Sequence, residues 1–276
     1  QEPVPIMVLR SCTENVEYLA SVLFGYAAGQ VIESFIKWNV ESDENIVAHF
    51  HEWMTGAGVL YLREKCPQIA TAFTTHATYL GRAISGNGLA LYNDLETFEP
   101  TAMANRFNIT SQQSMEYNAA QNADAFTTVS EVTAAECKQF LHREPDVITI
   151  NGVNESYVIN DKSREEKRNA AREKISNILE IMSGKKVSND AFFIINSGRY
   201  EFKNKGIDLF INALGQLNRS ENLKKEVVAV IAVPANISGI YKELEYRLEG
   251  KKPVEGRIEL PCTHHIFGFE HDAVLN

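Results

Sequence analysis

Histidines, a glutamate and basic residues stand where the apolar runs of this chain stop. In HFHEWMTGAG, His49, His51, Glu52 and Trp53 close one such run. On an extended strand His49 and His51 share a face. Two imidazoles beside a carboxylate read as a metal site, as hydrogen bonds within loops, or as the lining of a polar cleft. A metal would need a further ligand from elsewhere, and the spacing matches no zinc motif. In FTTHATYLGRAISGNG the run ends at His76, with Arg82 six residues on. Arginine is a fixed cation whose planar donor fork suits phosphate or carboxylate, although a loop arginine is usually solvated surface. A third run, in FFIINSGRYEFKNKGIDLFINAL, ends at Asn196 and Ser197. Gly198, Arg199, Lys205 and Gly206 follow, and then Ile207, Phe210, Ile211 and Leu214 recur at helical spacing. Glycines and cations between a buried strand and a helix N-terminus form a phosphate-binding arrangement; the alternative is a solvated basic turn. The P-loop pattern G-x-x-x-x-G-K-S/T is absent.

The elements that must carry these residues alternate in the manner of βαβ units around a parallel sheet. Strands are predicted at Ile46–His51, Ile69–Thr75, Ala125–Val129 and Val147–Ile150, and in a second series at Ala191–Ser197 and Val227–Ala235. Ligands of such sheets bind at the carboxyl ends of the strands, which is where the polar residues lie. Val16–Trp38 reads as a helix apolar on most sides and therefore sandwiched, and Lys162–Met182 as a charged, amphipathic connector. The polar turn SGKKVSND after it places the domain boundary, giving domains 1–185 and 186–276.

The chain has 276 residues, 44% hydrophobic and 23% charged, which suits two domains of ordinary size. Its net charge of −9 argues against general binding of nucleic acid or anionic lipid, so any anion site must be local. Cys12, Cys66, Cys137 and Cys262 show no C-x-x-C spacing, which fits reduced thiols in a cytoplasm better than a zinc site or a disulfide framework. No signal peptide and no long membrane-spanning run is read.

Taken together, HFHEWMTGAG, AFTTHATYLGR, LALYNDL, AFTTVSEVTA, PDVITINGVN, SGRYEFKNKG, VPAN and LPCTHH occur in the order found in glycogen synthases of the animal and fungal type and their bacterial relatives. The chain resembles that family over most of residues 46 to 265. The resemblance implies an α/β fold of two Rossmann-like domains with an interdomain cleft. It also implies retaining transfer of glucose from UDP-glucose to the non-reducing end of an α-1,4-glucan such as glycogen, without a metal or other cofactor. His76, Arg199 and Lys205 are then catalytic. His76 and Arg82 become donor contacts of the first domain, and Arg199 and Lys205 the cations on the diphosphate; His49, His51, Glu52 and Asn151 are cleft-lining candidates. A cytoplasmic location is expected from the reduced thiols, no nucleic acid or membrane partner is expected, and a homo-oligomer is left open.

The family's N-terminal glycine-rich loop with its lysine is not found before Val16, and its paired-glutamate motif is not found either. Both domains are therefore expected to be incomplete, the chain being a central part of such an enzyme. A catalytically inert glucan- or nucleotide-binding protein, or another retaining glycosyltransferase or epimerase of the same architecture, is the alternative reading.

Overall fold

The computed structural model describes residues 16–41, 44–158, 161–259 and 261–275. Cys12 and the segment before Val16, where the donor loop was sought, lie outside them. The chain divides into two compact units, one ending at Gly152 and the other starting at Val153.

The first unit runs α1 (Val16–Asn39), β1 (Val47–His51), α2 (Gly56–Lys65), β2 (Ala70–Thr75), α3 (Tyr79–Gly86), α4 (Pro100–Arg106), α5 (Thr110–Asn122), β3 (Ala125–Thr128), α6 (Glu131–Leu141) and β4 (Val147–Ile148). Its strands form one parallel sheet in the order β1-β2-β3-β4. The register aligns Phe50 with Phe73 and Phe73 with Phe126, so a row of phenylalanines crosses the sheet on one face. That face packs on Val59 and Leu62 of α2, Ala119 and Ala120 of α5, and Cys137 and Leu141 of α6. Alternation along the strands sends the intervening residues to the other face. There the side chains are polar: His49 Nε2 meets Thr74 Oγ1 at 2.7 Å, and Thr74 Oγ1 meets Thr127 Oγ1 at 2.6 Å.

α1 departs from its expected sandwiching. Its Gly25 and Gly29 are packed closely on Thr55 and Tyr61, where an added Cβ would crowd the Thr55 backbone and the Tyr61 ring. Tyr61 also donates to Glu33 Oε2 at 2.5 Å. Tyr18 is buried as well, and Ile32 and Ile36 pack on the core, but the opposite side stays open: Phe24 is 63% exposed and Trp38 77%. By length and composition alone α1 is apolar enough to cross a membrane, which corrects the reading that no such run exists.

The second unit holds α7 (Asp161–Ser183), β5 (Phe192–Ser197), α8 (Ile207–Asn218), β6 (Val227–Ala232), β7 (Ile237–Ile240), α9 (Lys242–Leu248) and β8 (His264–Ile266). β5 and β6 pair in parallel, whereas β7 and β8 are antiparallel. Met182 of α7 packs on Leu244 and Ile258. The buried Arg247 donates to the carbonyls of Ile181, Glu255 and Gly256 and to Glu243. By packing, then, α7 belongs with the strands that follow it, and the division falls before this helix rather than at the polar turn after it. β5 is less buried than its apolar sequence suggests, with Phe192 and Ile195 exposed, because a two-stranded sheet gives it a single neighbour.

Candidate functional site

In the first unit the polar residues converge where β1 and β2 end. Glu52 follows β1 directly. Its N–H donates to Thr74 O at 2.9 Å, and its Oε1 accepts from the His76 N–H at 3.1 Å. The strand-end loop of β2 is thereby clamped to that of β1. Glu52 does this with φ at 63° and ψ at 160°, a region that side-chain-bearing residues rarely occupy. Strain at one residue, held by bonds on both its backbone and its side chain, is a known mark of functional positions.

The imidazoles are brought together. His51 Nδ1 lies 3.0 Å from His76 Nε2, and the His49 and His51 rings are 4.2 Å apart. Partial burial, with His49 and His76 as further positive neighbours, lowers the pKa of His51, so this imidazole resists taking up a proton. Glu52 is shifted upward by burial, against the pull of the His76 N–H and of the His76 and Arg82 charges. Among the described residues no group of three His, Cys, Asp or Glu side chains is placed to hold a metal.

Arg82 sits in the first turns of α3, a helix whose start is unusually well tied. Thr78 is the N-cap, its Oγ1 accepting from the Gly81 N–H at 3.1 Å and donating to Glu136 Oε2 at 2.6 Å. Glu116 Oε2 accepts from the Tyr79 N–H at 2.9 Å, and Tyr92 OH donates to Glu136 Oε1 at 3.0 Å. Gly81 is required here, since a Cβ would strike the Glu136 carboxylate. Trp53 packs between Tyr18 and Tyr79, joining α1 to the same helix start. Burial raises the pKa of Glu136, and it pushes that of Glu116 up to about 8.

The sequence reading did not single out Glu116 or Glu136. The signal was present: Gln112, Met115, Glu116, Ala119 and Ala120 form one buried helical stripe, as do Thr133, Glu136, Cys137, Phe140 and Leu141. A carboxylate inside a stripe of small and apolar residues is buried with them. Asn151, by contrast, is exposed beyond β4 and makes no side-chain hydrogen bond among the described residues.

The second unit carries Arg199 and Lys205 between a strand and a helix. β5 ends at Ser197, and the turn from Gly198 to Gly206 leads into α8. Gly206 caps that helix with φ at 63°, a left-handed conformation natural to glycine. Arg199 Nε pairs with Glu201 Oε1 at 3.0 Å while half of its side chain stays exposed. Lys205 is exposed, and its methylenes lie 3.5 Å from where a Cβ on Gly198 would stand. Lys203 instead pairs with Asp208 at 2.8 Å, lowering the pKa of that carboxylate. Arg199 and Lys205 thus both belong to the turn that leads into the N-terminus of α8.

A family profile described as glycogen synthase matches residues 6–245. The chain belongs to the glycogen synthase family. It is 36% identical to the glycogen [starch] synthase of Caenorhabditis elegans over 235 residues, covering 80% of this chain and 34% of that protein. Against glycogen [starch] synthase isoform 2 of Saccharomyces cerevisiae the identity is 38% over 226 residues, 78% of this chain and 31% of that one. For the Neurospora crassa enzyme it is 33% over 232 residues, 81% and 32% of the two chains. The chain therefore spans about a third of the length of these relatives.

Proposed function

We propose that the chain is part of a cytoplasmic enzyme that transfers glucose from UDP-glucose to the non-reducing end of an α-1,4-glucan, retaining the anomeric configuration. The observation that carries this reading is the clamp at the β1 and β2 ends. There Glu52 fixes the His76 backbone, His51 meets the His76 ring, and Arg82 follows on α3, in a chain of the glycogen synthase family. The reading assigns the two units to the two Rossmann-like domains of such an enzyme, each supplying donor contacts.

The chemistry follows from charge. Cleaving the bond between the anomeric carbon and UDP leaves additional negative charge on the diphosphate. Cations already in place stabilise that charge more in the transition state than in the ground state. Arg199, Lys205 and Arg82 take this role, so the reaction needs no metal. His76 lies by the glucose, where its carbonyl or imidazole steadies the oxocarbenium-like carbon.

The test uses the full-length protein with glycogen and UDP-glucose labelled in the sugar, in the presence of a chelator. Incorporated label that β-amylase releases as maltose supports α-1,4 addition at the non-reducing end. Hydrolysis of UDP-glucose without incorporation, or no turnover, contradicts the reading.

A further inference from the structure

Two carboxylates from different helices meet beneath the start of α3, and neither takes part in the chemistry above. Glu116 of α5 is completely buried. Its Oε2 accepts the Tyr79 N–H, while Oε1 has no hydrogen-bond partner among the described residues. Glu136 of α6 holds the cap of the same helix through Thr78. Arg82 lies four residues after that cap. Helical side chains lean toward the N-terminus, so Arg82 is directed back over the turn that these carboxylates grip. It lies within electrostatic range of Glu52, Glu116 and Glu136.

We propose that Glu116 is a positioning residue for Arg82: a buried acceptor that grips the first turn of α3 from below through the Tyr79 N–H and so sets where the arginine stands toward a donor phosphate. The proposal rests on the reading of Arg82 as a donor contact. A carboxylate taken fully out of water is costly to keep charged, and such a group keeps its proton instead. Here Oε2 is occupied by a donor, so the proton resides on Oε1.

The groups facing Glu116 are Glu52 after β1, Tyr79 and Arg82 on α3, and Glu136 and Cys137 on α6. Burial raises the pKa of the Tyr79 hydroxyl and the Cys137 thiol above their ordinary alkaline values, which leaves Glu116 as the neighbour whose ionisation falls near pH 8.

The experiment measures donor KM and kcat across pH in the full-length protein. The variants are Arg82→Ala, Glu116→Ala, Glu116→Gln and Glu116→Ala combined with Arg82→Ala. Glu116→Ala should raise donor KM about tenfold with a smaller change in kcat, the scale of a displaced charge contact. Glu116→Gln, which keeps an acceptor for Tyr79, should recover most of that loss. The double variant should be no worse than Arg82→Ala, as expected of residues that act as one unit. The parent's donor KM should climb as the pH passes about 8, and that of Glu116→Gln should not. Additive losses in the double variant, or the same alkaline climb in Glu116→Gln, overturn the proposal while leaving the donor reading standing. A parent-like donor KM in Arg82→Ala overturns both. The Gln variant keeps the alkaline comparison decisive even if Glu116→Ala fails to fold.

Discussion

Arg199 is held by Glu201 in a half-exposed pair, and such pairs add little to stability. Replacing it therefore separates catalysis from folding: Arg199→Ala should lower turnover of UDP-glucose about a hundredfold, the scale of one lost transition-state charge contact, with an unchanged unfolding midpoint. Glu52 presents the opposite case, a residue strained by its own backbone. Glycine accepts that conformation and alanine does not, so Glu52→Gly should be more stable than Glu52→Ala by about 1–3 kcal/mol in urea unfolding, although both lose the bond to His76. Glu116 makes a claim on pH. Its folded pKa of about 8 lies above its ordinary 4.5, so the folded state binds the extra proton between those values. The stabilisation is complete below 4.5 and is lost as pH rises through about 8. Thermal unfolding of Glu116→Gln should accordingly gain on the parent steadily across that window; a constant difference would show that Glu116 is ionised when folded.

Among the elements, the contact of α1 with α2 depends on the absence of side chains. A Cβ on Gly58 would run into the Phe50 ring and approach Gly25 O at 2.8 Å, so Gly58→Ala should cost about 1–3 kcal/mol through overpacking. Gly215, inside α8, has nothing within 4 Å of an added Cβ; Gly215→Ala should stabilise by about 0.5–1 kcal/mol, the intrinsic helix preference. Urea unfolding of the two variants measures both signs. The strands were legible because apolar runs bounded by polar residues are the mark of a parallel sheet; β1, β2 and β3 end within one residue of their expected limits. β7 and β8 were not, since ISGI and HHI carry too little apolar pattern to stand out from a loop. The gathering of polar residues at the strand ends was legible, because His76 and Arg82 interrupt an apolar run. The burial of Glu116 and Glu136 showed only as a helical stripe, and their grip on α3 was not legible until the packing of α3 against α5 and α6 was known.

At the scale of the whole molecule the charge works against the proposed donor. A net charge of −9 repels a sugar diphosphate at long range, so binding must come from cations concentrated at chosen points. On the proposed reading Arg82 occupies one such point, and Arg199 with Lys205 another before α8. The central claim is that the donor is bound by these residues, with its sugar at the end of β2. A crystal structure of the full-length protein with UDP-glucose tests it most directly. The account requires the glucose within hydrogen-bonding distance of His76 and the phosphates on Arg82, Arg199 and Lys205. A donor bound away from the β1 and β2 strand ends, with His76 and Arg82 facing solvent, would contradict it.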